Sequence, residues 1–205
     1  MLDISISVKS LLKKDPRLQN LFYVPLIENL YPEKNYFKSI VRSIVYQQLC
    51  GKVAKKIHQR FINIFKPSQY PDPKDVINIS KEKLKSVGLS HMKADYIKNV
   101  ASYFEENPKV IATLDQKTDE EIINLISSTK GVGVWTVQMF LIFTLNRPDV
   151  FPVTDLALQK GYSAFYRKKK LVNIKKMMDH SEEWIPHRTT MSLYFWRYLE
   201  GPFEW

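Results

Sequence analysis

The sequence predicts an all-α protein. Apolar residues return with the 3.6-residue period of a helix in nearly every segment, and no segment alternates apolar and polar residues as a half-buried strand does. Prolines and glycines separate these periodic segments, where they end helices. Serine, threonine and aspartate stand at several of the expected helix starts, as N-caps do.

Each helix predicted in the first half of the chain has a start or a stop signal. The predicted helices cover residues 3–12, 17–30, 36–48, 52–65, 75–78, 81–86 and 91–106. Proline cannot continue a helix, and aspartate or serine caps one. The signals are Pro16, Pro32, Pro67 and Pro108 at boundaries, Asp75 and Ser80 at starts, and Gly88 at a stop.

In the second half, Thr118 and Glu121 form the capping-box pattern and predict a helix to about residue 128. Further helices are predicted over 134–145, 168–178 and 187–199.

Composition narrows the classes of function. Lys and Arg number 31 against 21 Asp and Glu, a net charge of +10, which favours a polyanionic partner. No apolar run reaches bilayer length, and the polar–apolar alternation of the first residues fits neither a signal peptide nor a span. Cys50 is the single cysteine, which excludes an intramolecular disulfide and any Cys-rich zinc or iron–sulfur site. We therefore expect a reducing, intracellular location and no membrane partner.

The turn Gly131-Val132-Gly133 stands between two predicted helices and has the chemistry of a phosphate-binding site. Glycines permit a tight turn and let the backbone approach a phosphate oxygen closely. The next helix starts at Val134, and its unpaired N–H groups and dipole favour an anion. Thr136 can add a hydroxyl, and Lys130 a charge. The alternative interpretation is a glycine-rich helix connection with no ligand.

Four segments together resemble the helix–hairpin–helix DNA glycosylases, and within them the DNA-3-methyladenine glycosylase II branch. They are ISSTKGVGVWTVQMFLIFTL (126–145), FPVTDLALQKG (151–161), IVYQQLCGKVA (44–54) and LKSVGLSHMKADYIKNVA (84–101). The resemblance runs from about residue 15 to residue 196 and keeps the order and spacing of the family's motifs.

The resemblance implies two helical lobes with a cleft between them. One lobe would comprise residues 35–146, including the helix–hairpin–helix motif, and the other residues 1–34 plus 147–205. Relatives often carry an N-terminal β-domain, and only about 34 helical residues precede the first lobe here. We expect that domain to be missing.

By the same resemblance, Asp155 matches the catalytic aspartate of the family. Cleaving a base from deoxyribose builds positive charge on the sugar, and a nearby carboxylate stabilises that charge and can orient or deprotonate a water. The carboxylate must be ionised, so we expect N–H donors around it. The alternative role is an N-cap for the helix beginning at Leu156, and the two roles can coexist. Asp149, the nearest rival acid, is interpreted as a solvated loop residue.

The resemblance also implies a pocket for a flipped base. Trp135 and Met139 share a helix face, where electron-rich groups would stack on an alkylated, positively charged purine. Trp184 and His187 lie in a segment that resembles a later motif of the family, whose aromatic residues line the same pocket, although His187 departs from the Trp or Tyr common at its position. The alternative for Trp135 and Met139 is ordinary core packing, and His187 can equally be a surface residue. Trp135 occupies the position of the Schiff-base lysine in strand-nicking relatives and cannot do that chemistry.

Gln47 and Gln48 match the family's loop that enters the minor groove and fills the gap left by the flipped nucleotide. Their alternative role is a polar helix C-terminus.

These points predict a monofunctional glycosylase that hydrolyses the N-glycosidic bond of alkylated purines in double-stranded DNA containing damaged bases, without AP-lyase activity. No cofactor or metal ligand set is expected, apart from a structural monovalent cation that the resemblance allows at the hairpin. A monomer is the default for this size. Two alternatives stay open, a non-catalytic module that binds DNA structure and a glycosylase for oxidised or deaminated bases.

Overall fold

The computed structural model describes residues 1–23, 27–49 and 51–201. Over these residues the regular structure is helical, and the one bridge between extended residues pairs Leu2 with Leu30. The prediction of an all-α fold is confirmed. No helix in this part of the chain is both long and apolar enough to span a bilayer. The α-helices are α1 (Ile4–Lys14), α2 (Gln19–Phe22), α3 (Tyr36–Tyr46), α4 (Gly51–Asn63), α5 (Pro73–Asn78), α6 (Lys81–Ser86), α7 (His91–Glu106), α8 (Pro108–Ile111), α9 (Asp119–Ser127), α10 (Val134–Phe143), α11 (Leu156–Phe165), α12 (Ile174–Ser181) and α13 (Arg188–Glu200).

The chain divides into two compact units. We call Glu33–Phe140 the hairpin unit, and Met1–Pro32 together with Leu141–Trp205 the terminal unit. Helix α10 therefore begins in the hairpin unit and ends in the terminal unit. The bounds predicted from the sequence, 35–146 and the remainder, place all of α10 in one lobe.

Helix α7 is the centre of the hairpin unit, with α3, α5 and α6 packed around it. Its buried side chains lie at positions 94, 97, 100, 101 and 104, the spacing of one helix face. The facing residues of α3, among them Ile40, Val41 and Ile44, are fully buried. Ser90 caps α7 by accepting the N–H of Lys93, so the helix begins where the sequence predicts.

The terminal unit is built on the pair α11 and α13. Gly161 lets these helices approach closely, since a methyl group at this position would overlap the backbone carbonyl of Phe195. Rings of both helices form a buried aromatic cluster, with Tyr162 at 5.4 Å from Phe195 between ring centroids. The short helix α2 adds to this core, where the ring of Phe22 meets Tyr194 edge-on at 4.7 Å.

The helix predicted over 75–78 with Asp75 at its start begins instead at Pro73 and is capped by Asp72. Two other predicted helices differ more. The prediction of one continuous helix over 17–30 is wrong: residues 17–18 lie in a 3-10 turn (Pro16–Leu18), α2 covers Gln19–Phe22, residues 27–29 are not helical, and residues 24–26 lie outside the described residues. The reason is tertiary: the backbone of Leu30 pairs with Leu2, and the side chain of Asn29 accepts the N–H of Ile4. Such pairing overrides a weak local propensity.

The second difference is the start of α12, predicted at residue 168 and found at Ile174. Asn173 caps this helix by accepting the N–H of Lys175. The preceding loop is held by Ser163, whose carbonyl accepts the N–H of Lys168 at 2.8 Å and whose hydroxyl accepts that of Val172 at 3.2 Å. The basic segment is therefore an exposed loop.

Candidate functional site

The turn between α9 and α10 has the shape that its glycines predict. Helix α9 starts with the predicted capping box of Thr118 and Glu121. At the turn, Gly131 has a φ of +101°, and a methyl group on it would overlap the ring of Tyr96 from α7. Glycine is thus required for both backbone conformation and space. Val132 is buried and anchors the turn from inside.

The outer side of the turn is open. Lys130 and Gly133 are exposed, Val134 is 49% exposed, and a methyl group at Gly133 would meet nothing within 4 Å. The N–H of Val137 donates to the carbonyl of Gly133 at 3.2 Å, in the first turn of α10. The N–H groups of Gly133 and Val134 come before Val137 and have no acceptor within the helix. This edge can present backbone donors to an anion.

Thr136 lies elsewhere than the phosphate hypothesis requires. It is 1% exposed, and its hydroxyl accepts a hydrogen bond from Nε2 of Gln47 at 2.9 Å. The same amide nitrogen lies 3.5 Å from the carbonyl oxygen of Gly131. Thr136 therefore binds the α3 loop inside the unit and does not line the open edge. The Gln47 side chain is therefore turned toward Thr136 in this structure, and its role as a groove-entering residue stays a prediction.

Gln48 is the member of the pair that reaches solvent. It is exposed and has a φ of +56°, a conformation that turns the chain sharply after α3. The N–H of Leu49 donates to the carbonyl of Tyr46 at 3.2 Å and closes this turn. Of the two glutamines, Gln48 is the one whose exposed side chain fits the predicted groove-entering role.

Asp155, in the terminal unit, stands at the N-terminus of α11. Its Oδ1 accepts the N–H of Leu158 at 2.7 Å, which makes it the N-cap that the sequence allows. The same oxygen accepts the indole N–H of Trp196, from α13, at 2.9 Å. The carboxylate is half-buried, and the two donors fix the side chain and stabilise its negative charge.

Trp196 was not predicted as a site residue. It lies 41 positions after Asp155 in the sequence and is 3% exposed. Its ring stacks on Phe143 at 6.0 Å between centroids, with 24° between the planes. An apolar helix rich in aromatic residues carries no local signal that one indole N–H turns toward a distant carboxylate.

Asp149 is not the solvated loop residue that the sequence suggested. Its two oxygens accept from Nε and Nη2 of Arg188 at 2.8 and 2.7 Å, a bidentate ion pair, and Oδ1 also accepts the backbone N–H of Arg188. The pair is half-buried on both sides. The arginine beside it stabilises the charged carboxylate, and in return this contact raises the pKa of Arg188. Asp149 therefore attaches the loop before Asp155 to the start of α13.

The four residues predicted for a base pocket are placed differently from one another. Trp184 is 2% exposed and packs among aromatic rings, with His180 at 4.9 Å and Phe151 at 5.5 Å between centroids. Met139 is 1% exposed. Both side chains are packed in a core, and their role in a base pocket stays a prediction. Trp135 is half-buried in the first turn of α10.

His187 is half-buried at the N-cap position of α13. Its Nδ1 is buried without a hydrogen-bond partner among the described residues. Burial lowers its pKa, and the positive charge of Lys14 contributes in the same direction. The ring is therefore more readily neutral than a free histidine.

Two kinds of metal site are relevant here, a cluster of side-chain ligands and a cation held by carbonyl oxygens of the glycine turn. No cluster of three or more His, Cys, Asp or Glu in the described residues could hold a metal ion. At the turn, the carbonyls of Lys130 and Gly131 are approached by amide donors of Asn99 and Gln47, at 3.1 and 3.5 Å. A carbonyl oxygen can accept twice, so these contacts are compatible with a cation. The monovalent cation at the hairpin stays a prediction.

The chain is similar to proteins of one known family. Residues 41–187 match the family model described as HhH-GPD superfamily base excision DNA repair protein. The chain is similar to DNA-3-methyladenine glycosylase 1 of Schizosaccharomyces pombe, at 33% identity over 85% of this chain and 79% of that protein. It is also similar to DNA-3-methyladenine glycosylase of Saccharomyces cerevisiae, at 31% identity over 87% and 67% of the two chains.

Among solved structures, the chain resembles the S. pombe 3-methyladenine DNA glycosylase in complex with abasic DNA. The TM-score is 0.81 and the identity 32%, and the match covers 90% of each chain. The family model spans most of this chain, including the glycine turn and Asp155. The chain therefore belongs to the HhH-GPD superfamily of base excision DNA repair proteins.

Proposed function

We propose that this protein is a monofunctional DNA glycosylase that hydrolyses the N-glycosidic bond of alkylated purines, such as 3-methyladenine and 7-methylguanine, in duplex DNA. The relatives named 3-methyladenine glycosylases support the lesion class. The net charge of +10 and the open edge of the glycine turn support a DNA partner. A monomer acting on intracellular DNA completes the proposal.

The geometry of Asp155 is the observation that carries the proposal. A carboxylate that only caps a helix needs the N–H of Leu158, and this one also accepts from Trp196. Two donors on one oxygen hold the carboxylate in a single orientation, as electrostatic stabilisation of a developing charge requires. That charge forms on the deoxyribose as the bond to the base breaks. An alkylated purine is already cationic, so it leaves with little help from an acid.

The proposal excludes a Schiff-base mechanism. Position 135 is tryptophan, which has no amine for attack on the sugar. We therefore expect the product to be an intact abasic strand. Borohydride added during the reaction should trap no covalent protein–DNA complex.

The test compares the wild type with Asp155→Asn on duplexes containing 3-methyladenine, 7-methylguanine, hypoxanthine or 8-oxoguanine. Released base is measured together with affinity for an abasic-site analogue. We expect release of the two methylated bases, a loss of at least about 100-fold in the variant, and retained affinity. Release of only hypoxanthine or 8-oxoguanine would replace the lesion class. Binding without any release by the wild type would show a DNA-structure-binding module.

The same variant needs a fold control, because Asp155 also caps α11. Asparagine is itself a good N-cap, so we expect a stability change below about 1 kcal/mol. Thermal unfolding of both proteins measures it. Lost release with unchanged unfolding then reports the charge rather than the cap.

A further inference from the structure

The turn that presents Gln48 follows the C-terminus of α3 and needs support. Helix α3 ends at Tyr46, and the N–H of Gln47 donates to the carbonyls of Ser43 and Ile44. Gln48 is in the left-handed region, with a φ of +56°, which a residue with a side chain adopts only at a cost. The terminal carbonyls of a helix also lack intrahelical donors. A donor from outside α3 can therefore stabilise this end of the helix by satisfying its carbonyls.

Lys93, in the first turn of α7, supplies that support. Its Nζ donates to the carbonyl of Val45 at 2.8 Å and to that of Gln47 at 2.7 Å. An ammonium at a helix C-terminus satisfies orphan carbonyls and interacts favourably with the helix dipole. The side chain is half-buried, and this burial lowers the pKa of Lys93. These two hydrogen bonds hold the Lys93 side chain at the turn, so it is not a mobile surface charge.

The same helix also supports the glycine turn. Tyr96 lies against Gly131, and Nδ2 of Asn99 donates to the carbonyl of Lys130 at 3.1 Å. Lys93, Tyr96 and Asn99 are spaced at intervals of three residues along α7, so they lie along one side of the helix. Gln47 completes the connection with its bond to Thr136. The Gln48 turn and the glycine turn are therefore both fixed to one rigid helix.

We propose that Lys93 is a positioning residue for base extrusion, which holds the 47–48 turn at a set distance from the glycine turn so that Gln48 can fill the gap left by an extruded nucleotide. This inference rests on the proposed function. Its physical basis is preorganisation: a turn that is already ordered loses little conformational entropy when it enters DNA. Without the ammonium, the left-handed conformation of Gln48 must be ordered during binding.

The structure offers a matched control on the same helix. Lys98 is also half-buried, and it donates to one backbone carbonyl, that of Ile77 at 2.8 Å, at the end of α5, whereas Lys93 donates to two. Lys93→Met and Lys98→Met both remove an ammonium from α7 and change the net charge equally. Only the first touches the Gln48 turn. Lys93→Arg keeps the donors and serves as the conservative variant.

The experiment measures affinity for a duplex with a tetrahydrofuran abasic-site analogue and for the undamaged duplex of the same sequence. We expect Lys93→Met to reduce the preference for the analogue about tenfold, as loss of charge-assisted hydrogen bonds implies, with undamaged-duplex affinity within about twofold of the Lys98→Met protein. Lys93→Arg should retain most of the preference. In a Gln48→Ala background, Lys93→Met should cause no further loss, because Lys93 acts through Gln48.

Three results would overturn the proposal: equal preference in the two methionine variants, an equal loss of affinity for both duplexes in Lys93→Met, or no preference in the wild type. Should Lys93→Met fail to fold, Lys93→Gln keeps an amide donor and takes its place, with a smaller loss of preference expected. The preference does not depend on bond cleavage. A wild type that shows the preference but releases no base would refute the proposed base release, and the positioning role of Lys93 in binding would still be supported.

Discussion

The bond between Trp196 and Asp155 gives the sharpest prediction about catalysis. Trp196→Phe removes the indole N–H that lies 2.9 Å from Oδ1 and leaves the N–H of Leu158 in place at 2.7 Å. A hydrogen bond to a charged group contributes about 1.5–3 kcal/mol. If that contribution is expressed in the transition state, base release in a single turnover should fall about 10- to 100-fold. Affinity for an abasic-site duplex should change little.

The control for this prediction is Trp184→Phe. Both tryptophans belong to the terminal unit and are nearly fully buried, at 3% and 2% exposure, so both substitutions remove the same atoms from a packed core. We expect each to lower the free energy of unfolding by about 1–2 kcal/mol. Only Trp196→Phe should slow base release at temperatures where both proteins are folded. A loss below threefold, or an equal loss in Trp184→Phe, would contradict our interpretation of the bond.

Three further predictions concern stability, and two of them also concern DNA binding or base release. Gly131→Ala should destabilise the protein by more than about 2 kcal/mol, because Gly131 has a positive φ and a methyl group there would overlap the ring of Tyr96. Gly133→Ala should unfold like the wild type and bind duplex DNA more weakly. Equal unfolding midpoints for the two variants would contradict this. Asp149→Asn should lower the free energy of unfolding by about 1–3 kcal/mol, measured in urea, because it weakens a half-buried bidentate pair, yet leave base release by the folded protein unchanged. Burial lowers the pKa of His58 to about 4, below its unfolded value, so the unfolded state binds more protons and stability should fall as pH drops from about 6.5 to 4, by up to about 3 kcal/mol. His58→Gln should show a flatter pH dependence of its thermal midpoint, and an unchanged slope would refute the assignment.

Sequence reasoning was most reliable where the signal is local. The capping pair Thr118 and Glu121, the start of α6 after Ser80 and the tight turn at Gly131 are all found where the residues predict them. Capping and turn formation involve atoms only a few residues apart, so residue types at fixed offsets are sufficient. The N-cap role of Asp155 belongs to the same class.

Where the sequence was insufficient, the structure is decided by contacts between residues that are far apart in the chain. Gln47 and Gln48 look alike in sequence, but one bonds to Thr136 across 89 positions and the other faces solvent. Nothing in the local sequence of Met139 or Trp184 says how deeply each is buried, and only packing leaves them 1% and 2% exposed. The segment 17–30 has a helical pattern, but residues 27–30 are not helical, and Leu30 pairs with Leu2.

The chain by itself determines an all-helical fold, a basic surface charge and a glycine turn followed by a carboxylate. Hydrophobic period, charge and backbone freedom are properties of the residues themselves and need no partner. Only the tertiary structure decides that Trp196 donates to Asp155 and that Lys93 holds the turn before Gln48. These contacts join residues 41 to 48 positions apart. Such a hydrogen bond forms only after packing has brought the two helices together and removed water from between them.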